Sequence, residues 1–116
     1  MRTVQTELDL SGFHGTENWY KNTFGLLYTD GIAYLAEQAG AHWLIDIVDS
    51  YQPKFGNVPF QLWKIELTQG GGCVVTMRED TDEPPLVEQV IEYTDFPLGE
   101  FEFYCCDNVM LLKSEY

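Results

Sequence analysis

His42, Asp46 and Asp49 stand at i, i+4 and i+7, a spacing that on a helix brings an imidazole and two carboxylates to one side. In outline this is a metal-ligand pattern. It has no second histidine nearby, and His14 has to arrive from a separate loop. Zinc sites draw on three or four ligands, mostly nitrogen and sulfur. The reading is therefore a solvated helix edge with a local His–Asp contact, and neither a metal nor another cofactor is expected. Cys73, Cys105 and Cys106 each fall in a run that reads as strand interior. Acidic surroundings raise a thiol's pKa rather than lower it, so structural cysteines are expected, not nucleophiles. Gly70-Gly71-Gly72 lacks the Lys-Ser/Thr pair of a phosphate loop and lies between strands, which predicts a hairpin turn. With two histidines in all and no Ser–His–Asp order, the chain is short of parts for an enzyme.

The carboxylates form a clearer pattern. Glu66, Glu88, Glu92, Glu100 and Glu102 alternate with apolar residues, so each is expected to point away from a core that Phe101 and Phe103 enter. Same-face neighbours on a strand lie about 7 Å apart, comparable to the phosphate spacing of a nucleic-acid strand. Glu79, Asp80, Asp82 and Glu83 add a loop of like charge. From Val58 onward there are 12 acidic and 3 basic residues, −9 of a total of −13. That balance opposes contact with nucleic acid or an anionic membrane and favours a basic protein surface. A sheet face that is acidic only for solubility is the competing explanation. Trp19, Tyr20, Tyr28 and Tyr116 fall outside the periodic core positions and suit interface anchors.

A chain of 116 residues, 45% apolar and 15% aromatic, has material for one core, and a single domain over 1–116 is expected. Three cysteines, two of them adjacent, do not make a secreted disulfide framework. The first ten residues lack the basic start and apolar run of a signal peptide. The expected location is the cytoplasm.

The elements that must position these residues divide by periodicity. Ile32, Leu35, Ala36 and Ala39 mark one face of a helix, capped by Thr29 or Asp30. Leu44, Ile47, Val48 and Tyr51 repeat the spacing. Gly40 either ends a first helix or bends a single one, and Pro53 with Gly56–Asn57 ends the helical region. A polar connection over Gly12–Asn22, with a short helical turn from Thr16, precedes it. Beyond Pro59 the period becomes two: strands are expected over Phe60–Gln69, Cys73–Arg78, Leu86–Tyr93 and Glu100–Asp107, with a last one over Val109–Leu112. Short connections make successive strands antiparallel neighbours. The expected fold is α+β, with N-terminal helices packed on one face of a C-terminal antiparallel sheet of four to five strands.

The stretch Tyr28-Thr-Asp-Gly-Ile-Ala-Tyr-Leu-Ala-Glu-Gln-Ala-Gly-Ala-His-Trp-Leu-Ile-Asp46 resembles the signature of a small bacterial domain family of unknown function. Phe13–Tyr20, Phe60–Lys64, Thr94-Asp-Phe-Pro-Leu98 and Ser114-Glu-Tyr116 are similar to further parts of its pattern. The resemblance implies a chromosomal, plasmid or phage gene of bacterial type and brings no activity with it. The functional expectation is a non-enzymatic acidic protein that binds a basic, nucleic-acid-handling partner, as anti-CRISPR or antirestriction inhibitors do. Its binding residues would be Glu79, Asp80, Asp82, Glu83, Glu88, Glu92, Glu100 and Glu102. Two alternatives stand beside it. One is a small enzyme or ligand-binding domain with a site between helices and sheet, near His42, Trp43 and Asp46. The other is an immunity or antitoxin-like protein.

Overall fold

The computed structural model describes residue 12 and residues 15–116. Among these residues seven strands form one sheet: β1 (Trp19–Lys21), β2 (Leu27–Thr29), β3 (Phe60–Leu67), β4 (Cys73–Arg78), β5 (Val87–Ile91), β6 (Glu100–Cys106) and β7 (Val109–Leu112). Between β2 and β3 the described residues form the helices α1 (Asp30–Ala39) and α2 (His42–Phe55), and a 3-10 turn follows β7 over Lys113–Glu115. The spatial order is β1-β2-β7-β6-β3-β4-β5. The α+β class holds, but the expected sheet of four to five antiparallel strands is corrected to a larger, mixed one. Two strands precede the helices, and β2 runs parallel to β7.

β1 replaces the last part of the connection expected over Gly12–Asn22, and residues 15–18 stay irregular, without the helical turn expected from Thr16. The Thr16 hydroxyl donates to the Asn18 carbonyl and accepts the Asp30 N–H, so it ties the incoming chain to α1. The expectation that consecutive strands are neighbours holds for β3–β4, β4–β5 and β6–β7. It fails for β6, which lies beside β3 on the side away from β4. The connection from β5 crosses the end of the sheet, where Leu67 N–H donates to the Gly99 carbonyl.

The helical region is two helices. Gly40 adopts φ 61°, ψ 35° and its N–H returns to the Ala36 carbonyl, closing α1 with a left-handed residue that glycine takes without the Cβ clash. Thr29 caps the start by accepting from Ile32 N–H. Pro53 does not end α2 but lies inside its last turn, and the helix runs on to Phe55.

Ile32, Leu35, Leu44, Ile45 and Val48 of the helices are buried against Trp63, Ile65, Val75, Met77, Phe103 and Met110 of the sheet. Trp63 and Phe103 stack with centroids 6.3 Å apart. Full burial of each such side chain contributes roughly 1.5–3 kcal/mol, which is why the layer arrangement tolerates few polar groups. Those it holds are paired: Gln52 and Gln61 exchange amide hydrogen bonds at 3.0 and 3.2 Å, and Trp63 Nε1 donates to Gln61 Oε1. Both helices lie on the same side of the sheet, the side of Trp63, Val75 and Phe103. Neither packs on the side of Lys64, Thr76, Glu88 and Glu102.

Candidate acidic interface

Period two sends alternate residues of β3–β6 to this open face, and the register places them side by side. Lys64 lies opposite Glu102, Glu66 opposite Glu100, and Thr76 opposite Glu88. Lys64 Nζ reaches Glu100 at 3.0 Å and Glu66 at 3.9 Å, and Lys113 pairs with Glu102. The hydrogen bond to Glu100 holds the Lys64 ammonium above the usual lysine range. Two of the predicted binding residues, Glu100 and Glu102, thus carry local counter-charges.

The other six lie toward the β5 end. Glu79, Asp80, Asp82 and Glu83 occupy the exposed loop between β4 and β5, where Asp80 forms a turn by accepting Glu83 N–H at its carbonyl and Thr81 N–H at its carboxylate. Glu88 is exposed on β5, and Glu92 is exposed just past it. No lysine or arginine occurs between Arg78 and Lys113. Among the described residues none of these six carboxylates joins an ion pair. The predicted surface is therefore one acidic end beside a charge-compensated patch.

His42, Asp46 and Asp49 do converge, as their spacing predicts, but on an amide. Asn22, in the turn between β1 and β2, donates from Nδ2 to Asp46 at 2.9 Å and to Asp49 at 3.0 Å, while its Oδ1 lies 3.3 Å from His42 Nε2. Asp49 is fully buried and also accepts the backbone N–H groups of Phe24 and Leu26. The trio fastens the β1–β2 hairpin onto α2. The expected His–Asp contact is replaced by contacts from both sides to Asn22. His14 lies outside the described residues.

The cysteines lie within strands. Burial pushes the Cys105 thiol up to about 12 and raises Cys73 and Cys106 as well, which opposes thiolate formation at neutral pH. Gly70–Gly72 forms the β3–β4 turn, with Gly71 at φ 89° and Thr68 N–H donating to the Gly72 carbonyl. A Cβ on Gly72 would meet the Ile91 carbonyl oxygen at 2.2 Å, so the backbone there needs glycine. Of the aromatics expected as interface anchors, Trp19 and Tyr20 lie on β1 and Tyr28 on β2. Tyr116 packs with Phe60 and Tyr104, ring centroids 5.7 and 5.2 Å away.

Two features carry no periodic signal in the sequence. Asp30 accepts Glu17 N–H, Asn18 N–H and the Tyr20 hydroxyl, and these bonds hold its carboxyl below the usual range, the Glu17 bond foremost. Glu115 accepts Gly31 N–H, Leu112 N–H and the Thr29 hydroxyl, so a side chain from the C-terminus helps cap α1.

A family model described as a family of unknown function, DUF6876, matches residues 4–116. The chain belongs to that family. Its match spans the strands before the helices as well as the sheet after them, so the hairpin clamp and the C-terminal cap both lie inside the family's extent. No curated protein and no solved structure matches the chain. Among the described residues no helix is long and apolar enough to cross a membrane.

Proposed function

We propose that this chain is a non-enzymatic binding protein whose acidic β5 end docks on a basic, nucleic-acid-handling protein and inhibits it, in the manner of anti-CRISPR or antirestriction proteins. The observation that carries the reading is the distribution of charge. Six exposed carboxylates lie on one strand, the loop that leads into it and the residue just past it; among the described residues none joins an ion pair, and Arg78 is the basic residue at the start of the loop. Unpaired surface charge of one sign accelerates encounter with an oppositely charged partner and repels nucleic acid.

The nucleic-acid likeness is narrower than the alternation alone suggests. A run of phosphate-like carboxylates along the open face is interrupted at Lys64 and Lys113, which sit beside Glu100 and Glu102. The reading therefore rests on Glu79, Asp80, Asp82, Glu83, Glu88 and Glu92. A ligand site near His42, Trp43 and Asp46 is the weaker reading, because Asn22 already engages His42 and Asp46.

The test is affinity capture from a bacterial lysate at about 0.1 M and 0.5 M salt, where screening lengths differ about twofold. A basic nucleic-acid-handling protein held at low salt and released at high salt is the expected result. A partner retained equally at both would overturn the electrostatic reading.

A further inference from the structure

We infer that β5 accepts an extended segment of the basic partner as an eighth strand, so that recognition combines main-chain pairing with alternating side-chain contacts. This deepens the proposed function and rests on it. Among the described residues β5 ends the sheet, with β4 as its one neighbour. Sheet edges left to solvent are ordinarily protected by shortness, by charged side chains, lysine above all, by proline, or by a covering element, and on β5 the one charge is Glu88. The opposite edge, β1, follows that rule with three residues and Lys21. β5 has five residues, Val-Glu-Gln-Val-Ile, with neither lysine nor proline.

Large apolar side chains are exposed along it: Val90 is 68% accessible and Tyr93, just beyond, 78%. On the helix side, a groove of about 350 Å³ runs between Trp43 and Ile47 of α2 and Ile91 and Tyr93. On the open side stand Glu88 and Val90. An added strand sends successive side chains to opposite faces. One set meets the apolar groove and the other meets carboxylates, with the acidic 79–83 loop at one end and Glu92 and Asp95 at the other. The segment that fits is extended, with basic and aliphatic residues alternating.

A second copy fits poorly. Antiparallel β5–β5 pairing centred on Val90 sets Glu88 of each copy opposite Glu92 of the other, and like charges directly opposed are unfavourable.

The test uses the full chain and a capped seven-residue peptide of alternating lysine and valine, read by fluorescence anisotropy and amide hydrogen exchange. Two further peptides are N-methylated on every lysine or on every valine, and a fourth has equal charge with serine in place of valine. In antiparallel pairing, alternate N–H groups face the partner strand. The expected result is slowed exchange over residues 87–91, with one methylated peptide at least tenfold weaker and the other nearly unchanged. The serine peptide is expected to be weaker too. Equal binding of all four with unchanged β5 exchange would overturn strand addition and leave attraction by charge intact. Failure of every peptide to bind at low salt would overturn both readings. Protection of β5 through dimerisation without peptide would assign the edge to a second copy instead.

Discussion

The Asn22 amide lies between Asp46 and Asp49, 2.9 Å from one carboxylate and 3.0 Å from the other. This contact turns a metal-like spacing on α2 into a fastener for the β1–β2 hairpin. Removing Asp49 leaves the Phe24 and Leu26 N–H groups without their acceptor and the Asn22 amide with Asp46 alone, at a cost of about 1–3 kcal/mol per stranded group. Asp49→Ala is expected to lower unfolding free energy by about 2–4 kcal/mol in urea titration, and Asn22→Ala by less. His42→Ala is expected to cost under about 1 kcal/mol, since it loses one exposed hydrogen bond and an edge contact with the Tyr28 ring. Zinc and chelator are expected to leave the wild-type melting temperature unchanged. A zinc-induced rise lost in His42→Ala would contradict the fastener account.

Glu115 and Thr29, 86 residues apart in sequence, cap α1 together. Glu115→Ala is expected to cost about 1–2 kcal/mol, the range of a lost helix cap. Gly31→Ala is expected to be worse than helix propensity alone predicts. Its Cβ would lie 2.5 Å from Leu112 Cδ1 and 2.8 Å from the Glu115 carboxyl, so it would displace the cap. Thermal melts of the two variants and their double mutant check this; full additivity would show that Gly31 and Glu115 act independently.

Cys105 gives an alkaline prediction. Its thiol is held protonated in the folded chain up to about 12, against 9.0 for an unperturbed group. A group whose folded pKa is raised contributes stability that is complete below the unfolded value and lost as pH climbs through the folded one. Stability is therefore expected to decline from about pH 9 toward pH 12, with proton release on unfolding in that window. Ellman's reagent at pH 8 is expected to label Cys106, which is part-exposed, before Cys73 and Cys105. Rapid native labelling of Cys105 would contradict its burial.

Much of this architecture is legible in the sequence because it repeats at short range. Ile32, Leu35, Ala36 and Ala39 announce α1, Gly40 marks its end, and Lys64/Glu66 against Trp63/Ile65 announce the faces of β3. β1 and β2 are not legible. Each has three residues, and the burial of β1 does not alternate. They become strands because β7, more than 75 residues later, offers β2 a parallel edge, and β2 in turn offers one to β1. The place of β6 beside β3 is non-local for the same reason. The acidic site was legible residue by residue, since alternation identifies outward positions. Which carboxylates keep an unbalanced charge was not, because Lys64 and Lys113 reach Glu100 and Glu102 across strand registers and a chain end that spacing does not encode.

Net charge offers a further check. With −13 on 116 residues, self-repulsion opposes the compact state and salt relieves it. The melting temperature is expected to rise by several degrees between about 0.02 M and 0.5 M sodium chloride, since about 1 kcal/mol corresponds to roughly 4–8 °C in a chain of this size. Reversing Glu79, Asp80, Asp82 and Glu83 to lysine is expected to raise it at low salt, because that loop makes no ion pair to lose. A fall would show that the loop acids stabilise the fold.

The same four-fold reversal tests the central claim most directly. Wild type and variant, matched for folding by circular dichroism, are used side by side to capture proteins from one bacterial lysate at low salt. The account predicts a basic nucleic-acid-handling protein held by the wild type and lost, at least tenfold, from the variant. Equal recovery of that protein by both chains would contradict the assignment of the acidic β5 end as the binding surface.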